Sequence, residues 1–280
     1  MFELSVPLRR RLAHGTSYVF LIVVGITMVA PLLWMLSTSL KSAQEDVLDP
    51  AQWLPAALNW SNYVEVWVEI DFARALLNSV LVTVAVTVGQ VFTSSLAAFA
   101  FARLKFFGRD KIFLGYLATL MVPGAVTMIP VFILLRELHW INTYYALIIP
   151  AMFSAYGTFL LRQFFLSIPT ELEEAAVLDG CSTFGIYRNV ILPLSKPALS
   201  ALAILTFMGS WRSFMWPLIV THYQEMYTLP VALTAFQEMH TVQWTLLMAG
   251  SVIMILPMLV VFIVGQRFFI EGIRLGAVKG

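Results

Sequence analysis

Ser213, His222 and Glu225 are the side chains of this sequence whose types suit nucleophilic hydrolysis. A hydroxyl becomes a nucleophile only with a general base within hydrogen-bond reach. No such base lies in the apolar run that holds Ser213, and His222 and Glu225 follow in what reads as a loop, so catalysis is set aside. The four histidines, His14, His139, His222 and His240, are never spaced i, i+4, and Cys181 is the single cysteine. Neither a metal site nor a disulfide framework is expected from that set. No Gly-x-x-x-x-Gly-Lys-Ser/Thr segment occurs, so this chain does not hydrolyse ATP by that route, and no cofactor is expected on it. The net charge of +1 leaves no basic surplus for nucleic acid. One residue stands out against this background: Arg212, the single charge inside an otherwise uncharged run from 197 to 220.

The elements around these residues belong in a lipid bilayer. Of 280 residues, 60% are hydrophobic and 12% charged, whereas soluble domains carry roughly 25% charge. Uncharged stretches cover 12–40, 75–102, 112–135, 138–161 and 239–266. Each exceeds the roughly 20 residues needed to cross a hydrocarbon core. With 197–220 they make six spans of an all-α polytopic membrane protein, a single domain over 1–280. Arg9, Arg10 and Arg11 precede the first span, whose length is that of an anchor and not of a cleaved signal. Placing the N-terminus inside assigns 13 of the 17 lysines and arginines to inner segments. Only Lys41, Arg74 and Arg136 fall outside, as the positive-inside rule requires. The loop 41–74, rich in acidic residues and tryptophan, is then external, and both termini are internal.

Proline sits in or beside five spans, at Pro31, Pro123, Pro130, Pro150, Pro217 and Pro257, where it bends the helix. The second span has none. Its Thr83, Thr87, Gly89, Thr93, Ser94, Ser95, Ala97 and Ala98 suit close packing against other helices.

The inner loop 162–196 is long enough to fold outside the bilayer. Thr170 with Glu173 three residues on reads as a capping box. The helix it starts carries Leu172, Ala175, Ala176 and Asp179 on one face poor in bulk, and Gly180 ends it. A second short helix, capped by Ser182, places Phe184, Tyr187 and Ile191 together before Pro193 and Pro197. By periodicity alone, this is either a docking knob or an interfacial amphipathic helix.

Glu174-Ala175-Ala176, Gly180 and Val190-Ile191-Leu192-Pro193 resemble the EAA motif of binding-protein-dependent ABC importer permeases. The resemblance is closest to the carbohydrate-type permeases of the maltose and glycerol-phosphate importers. It extends to Asn78-Ser79, Ala97-Ala98-Phe99-Ala100-Phe101-Ala102-Arg103, Ile129-Pro130, Asn142-Thr143-Tyr144, Gln266-Arg267 and the tail Gly276-Ala277-Val278-Lys279-Gly280. It implies the type I importer permease fold in a bacterial inner membrane. Glu174, Ala175, Ala176, Asp179, Gly180, Leu192 and Pro193 would form the coupling helix region seated on a cytoplasmic ATP-binding subunit dimer. Ala277, Val278, Lys279 and Gly280, in the tail 267–280, would reach the same dimer. A second homologous permease and an extracytoplasmic solute-binding protein complete the implied partners, with sugar as the expected solute. In the fifth span the family usually has Trp-Asn, where this sequence has Trp211-Arg212-Ser213-Phe214, its substrate-pathway candidates.

Two other readings compete. A secondary carrier driven by an ion gradient would bury acidic residues mid-span, and here every Asp and Glu lies in a loop or at a span end. A non-transporting scaffold would explain the inner loop but not the prolines. Arg212 itself has two readings: its side chain snorkels to the outer interface, or it faces the bundle interior and needs an anionic or hydroxyl-rich partner.

Overall fold

The computed structural model describes residues 6–46, 49, 52–237 and 242–277, with side chains from Ser17 to Gln266 within those limits. Its helices are α1 (Val6–Ser39), α2 (Ser61–Glu69), α3 (Phe72–Arg103), α4 (Arg109–Ala118), α5 (Gly124–Glu137), α6 (Tyr144–Ile148) and α7 (Ala155–Ser167). There follow α8 (Glu171–Leu178), α9 (Thr183–Ile186), α10 (Leu192–Leu194), α11 (Lys196–Trp211), α12 (Met215–Val220), α13 (Leu229–Ala232) and α14 (Trp244–Ala277). No strand is present among the described residues. Four helical segments are long and apolar enough to cross a membrane, and six spans result if each of two bent helix pairs counts as one.

The chain divides into two compact units, Met1–Ile70 with Leu233–Ile253 and Asp71–Ala232 with Met254–Gly280. In the first, the loop that follows α1 is tied to that helix's end. Asn62 Nδ2 donates to the carbonyls of Ser39 and Lys41, each at 2.8 Å, which partners two acceptors a helix end leaves open. Lys41 is 1% exposed. Its ammonium donates to the Gln52 carbonyl at 2.6 Å and lies 5.3 Å from the centre of the Trp34 ring, so the buried charge is partnered. Glu45 accepts from the backbone N–H groups of Ser42 and Ala56, and those bonds hold its carboxyl below the usual value.

In the second unit α3 is the packing helix its small residues predict. Gly157 of α7 meets it closely enough that a Cβ there would lie 2.7 Å from Ser94 Oγ. Ser95 shares a 2.7 Å hydrogen bond with the Tyr187 hydroxyl. At its other end, Asn78 Nδ2 donates to the carbonyls of Glu225 and Tyr227, its Oδ1 accepts from the Tyr144 hydroxyl, and Ser79 Oγ accepts from the Leu229 N–H. The Asn-Ser pair is therefore a clasp on the segment 225–229. Asn142, at φ 62°, does the same for its neighbours: its Oδ1 accepts from the N–H groups of His222 and Tyr223. Asn78→Leu strands two carbonyls and a hydroxyl in a site 3% exposed. At about 1–3 kcal/mol per buried unpaired group, we expect a loss of roughly 3 kcal/mol, read as a lower melting temperature of the purified protein.

Three spans differ from the expected boundaries. The run 112–135 is bent by 100° between Arg109–Met121 and Gly124–Glu137, because Pro123 has no N–H to continue the ladder. The expected span 138–161 lies instead at Tyr144–Ser167: His139 and Asn142, both at positive φ, interrupt the chain first. Arg162 thus belongs to α7, and the loop that follows begins after Ser167. The run 197–220 is two helices, α11 and α12, parted at Arg212–Phe214.

Candidate functional site

The loop after α7 folds into the two short helices expected, with changes in which residues are exposed. Thr170 has αR backbone angles and makes no side-chain cap, so the capping box does not form. Glu173 turns to Arg103 instead, at 2.8 Å between Oε1 and Nε. The ion pair joins side chains 18% and 7% exposed. It outcompetes a solvent-exposed backbone cap because an unpaired guanidinium at that depth would be far costlier. Burial raises the Glu173 carboxyl above its ordinary value, and Arg103 pulls it part of the way back. The other arm of Arg103 donates to the carbonyls of Phe165 and Ile168 at the end of α7, at 2.6 and 2.7 Å.

Ala175 and Ala176 do not share the docking face. Ala176 is 8% exposed and packs inward with Ala98, Phe99, Ala102 and Phe165, while Ala175, Glu174 and Asp179 are exposed. The apolar groups pointing away from the chain are Leu178, 88% exposed, with Leu172, Val177 and Phe184. Gly180 has φ +80° and nothing within 4 Å of the place a Cβ would take. It ends α8 in the left-handed turn expected of a C-terminal glycine, with the Cys181 N–H reaching back to the Ala176 carbonyl at 2.9 Å.

Ser182 caps α9, its Oγ accepting from the Gly185 N–H at 3.1 Å. The segment Tyr187–Ile191 is π-helical, a wider turn just ahead of Pro193, which has no N–H to donate back into it. Tyr187 and Ile191 face inward and Phe184 does not, so those three are split between surface and core. Leu192 and Pro193 lie in α10, at the bend of 77° that leads into α11. Of the tail residues, Ala277 closes α14, its side chain outside the described part, and Val278, Lys279 and Gly280 lie outside the described residues.

A second feature lies within the bundle. A cavity of about 380 Å³ is lined by one face of α3 (Ser79, Thr83, Val86, Gln90) and one face of α11 (Leu202, Leu205, Thr206, Gly209), closed by α12 and the start of α13. Both stripes follow the three- and four-residue spacing of a helix face. Of the four pathway candidates, Trp211 and Ser213 line this cavity, and Arg212 and Phe214 do not. Trp211 is held by its indole N–H, which donates to the Met254 carbonyl at 2.9 Å. Arg212 is exposed at the end of α11, with Nε donating to its own helix at the Met208 carbonyl. It therefore acts as a cation at a helix C-terminus, where the axial dipole favours it. Gln90, Thr206 and Thr228 were not singled out in the sequence, since hydroxyls and amides on span faces are also the usual means of helix packing.

Comparison with known proteins follows the same lines. Residues 69–274 match the family described as binding-protein-dependent transport system inner membrane component. The arabinooligosaccharides transport system permease protein AraQ of Halalkalibacterium halodurans is 35% identical, over 93% of this chain and 96% of that protein. The sn-glycerol-3-phosphate transport system permease protein UgpE of Agrobacterium fabrum is 33% identical, over 95% of this chain and 96% of its own length. Among solved structures, a chain of a bacterial ABC transporter involved in import of the acidic polysaccharide alginate aligns with a TM-score of 0.85. It is 23% identical, over 96% of this chain and 99% of that one.

Proposed function

Since this chain belongs to the family of binding-protein-dependent transport system inner membrane components, it is a membrane-spanning permease subunit of an importer, and we propose how it works. It forms half of a translocation pathway for a sugar-like solute and pairs with a second, related permease. An extracytoplasmic binding protein delivers the solute, and ATP is hydrolysed on a cytoplasmic subunit dimer. The observation that carries this is the knob: α8 is fastened to α3 and α7 through Arg103 and Glu173, yet presents Leu178 outward without a partner in its own bundle. A lever needs both properties, a rigid attachment and a free apolar contact.

Glu174, Ala175, Asp179 and Gly180 shape that contact, Ala176, Leu192 and Pro193 hold it to the bundle, and Ala277 to Gly280 extend the inner surface toward the same ATPase. Both termini and the loops 103–111 and 168–195 are cytoplasmic, in a bacterial-type inner membrane, which the lysine and arginine bias supports.

Two measurements test this. A tagged chain purified from its own membranes should bring down a second permease and a nucleotide-hydrolysing subunit. Cysteines at Ser42 and Ser182, in a Cys181→Ser background, should be labelled by a membrane-impermeant reagent from opposite sides. Purification of the chain alone, or labelling from one side, would overturn the proposal.

A further inference from the structure

The cavity between α3, α11 and α12 holds polar groups of one kind. Ser210 and Ser213 line it, and their hydroxyls have no partner among the described residues. Gln90 is fixed by donating from Nε2 to Thr206 Oγ1 at 2.9 Å. Thr228, 5% exposed, adds a buried hydroxyl that no described group of the chain satisfies. A buried polar atom is normally paired, so Thr228, with the two half-buried serine hydroxyls in the same lining, points to a partner that arrives from elsewhere. The apolar part of the wall is aromatic. Trp211 and Trp216 line the cavity, and each indole is locked by its N–H to a backbone carbonyl, of Met254 and Ala146. Rigid rings beside hydroxyl donors and acceptors suit a solute whose ring has C–H faces and a hydroxyl rim.

Charge narrows the class. None of the lining residues is Asp, Glu, Lys or Arg, and Arg212 stands outside the lining. A phosphate or carboxylate brought against this wall would lose its hydration with no cation of this chain to receive it, and that penalty far exceeds what neutral hydroxyls return. We infer that this chain carries its own solute-binding site in this cavity, and that the site takes uncharged saccharide rings and refuses sugar phosphates and uronates. The volume of about 380 Å³ admits a ring or two of an oligosaccharide and not its whole length. The inference rests on the permease reading above.

Gly209 gives a clean probe. It lines the cavity, and a Cβ built there meets nothing within 4 Å, so a side chain can start from this position into open space. The experiment uses the complete importer with its binding protein in proteoliposomes, offered labelled arabinotriose, maltose and cellobiose, and separately sn-glycerol 3-phosphate and an alginate trisaccharide. We expect saturable uptake of a neutral saccharide and none of the two anions. Gly209→Leu should lower that uptake at least tenfold. The paired change Ser210→Ala with Ser213→Ala should raise KM at least fivefold at nearly unchanged maximal rate. In all variants the second permease should still co-purify and the melting temperature should stay near that of the parent. Uptake of either anion, exclusion of all three neutral saccharides, or parental KM in both variants would overturn the inference. Absence of stimulated ATP hydrolysis in the unaltered importer would instead overturn the permease reading on which it rests.

Discussion

Arg103→Met is expected to destabilise the protein by about 3 kcal/mol and to uncouple the knob from the bundle. The estimate takes the lower end of the roughly 3–5 kcal/mol lost when one partner of a buried ion pair is removed, because Glu173 keeps 18% of its side chain exposed. Three attachments go at once: the pair with α8 and the two bonds that satisfy the last carbonyls of α7. The pH dependence follows from Glu173. Its folded-state pKa lies above the ordinary 4.5, so between the two values the folded protein binds more proton than the unfolded one. Stability then falls as pH rises through that window. Arg103 supplies the one influence that lowers this pKa, so without it the window widens upward and the fall is steeper. The melting temperature of Arg103→Met should therefore drop more at pH 7.5 than at pH 5.5. Adding Glu173→Gln, which removes the stranded charge, should recover part of the loss at the higher pH. Melting of Arg103→Met at the parental temperature at both pH values would show that the pair holds nothing together.

What could be read in advance was what local chemistry decides. Gly180 announced its left-handed turn because a helix commonly ends on a residue at positive φ, which glycine adopts without a Cβ penalty, and φ is +80°. Ser182 announced its cap for the same kind of reason. The spans were legible as apolar runs longer than a bilayer, but their breaks were not. Pro123 signals that a helix bends, and nothing in the residues near it states an angle of 100°. Glu173 was misread because it had two suitors. The backbone at Thr170 is three residues away and Arg103 is seventy, and only the packed bundle brings the second within reach.

Ala176 shows the same limit. Small residues on a helix face permit close approach, but whether a separate subunit or the chain's own α3 and α7 makes that approach depends on how α8 is rotated. The cavity was beyond reading for a related reason. Its wall is drawn from faces of several elements far apart in sequence, and each face, taken singly, looks like helix packing.

Leu178→Asp and Gly180→Val are each expected to abolish solute uptake while leaving the bundle folded. Leu178 is 88% exposed at the tip of α8, and no described residue covers it. Burying a leucine side chain contributes about 1.5–3 kcal/mol, and an aspartate in its place would have to shed its hydration in an apolar cleft. Affinity for the proposed ATPase partner should fall at least about tenfold on the first term alone, at tenfold per 1.4 kcal/mol. Gly180→Val acts differently. The place for its Cβ is open, so no clash arises, and the strain is that of holding an L-residue at φ +80°, about 1–2 kcal/mol and more for a β-branched side chain. The elbow relaxes by turning α8 relative to α9, which misaims Leu178 and Phe184. Ala175→Arg, on an exposed residue, is a fair third probe, whereas Ala176→Arg would force a charge into the core and report folding instead of docking. The readouts are co-purification of the ATPase, ATP hydrolysis stimulated by the binding protein, and melting temperature. Leu178→Asp should lose the first two and keep the third, and Gly180→Val should lose stimulation with a small drop in melting temperature. Parental association and parental uptake in both variants would mean that force enters this chain somewhere other than α8.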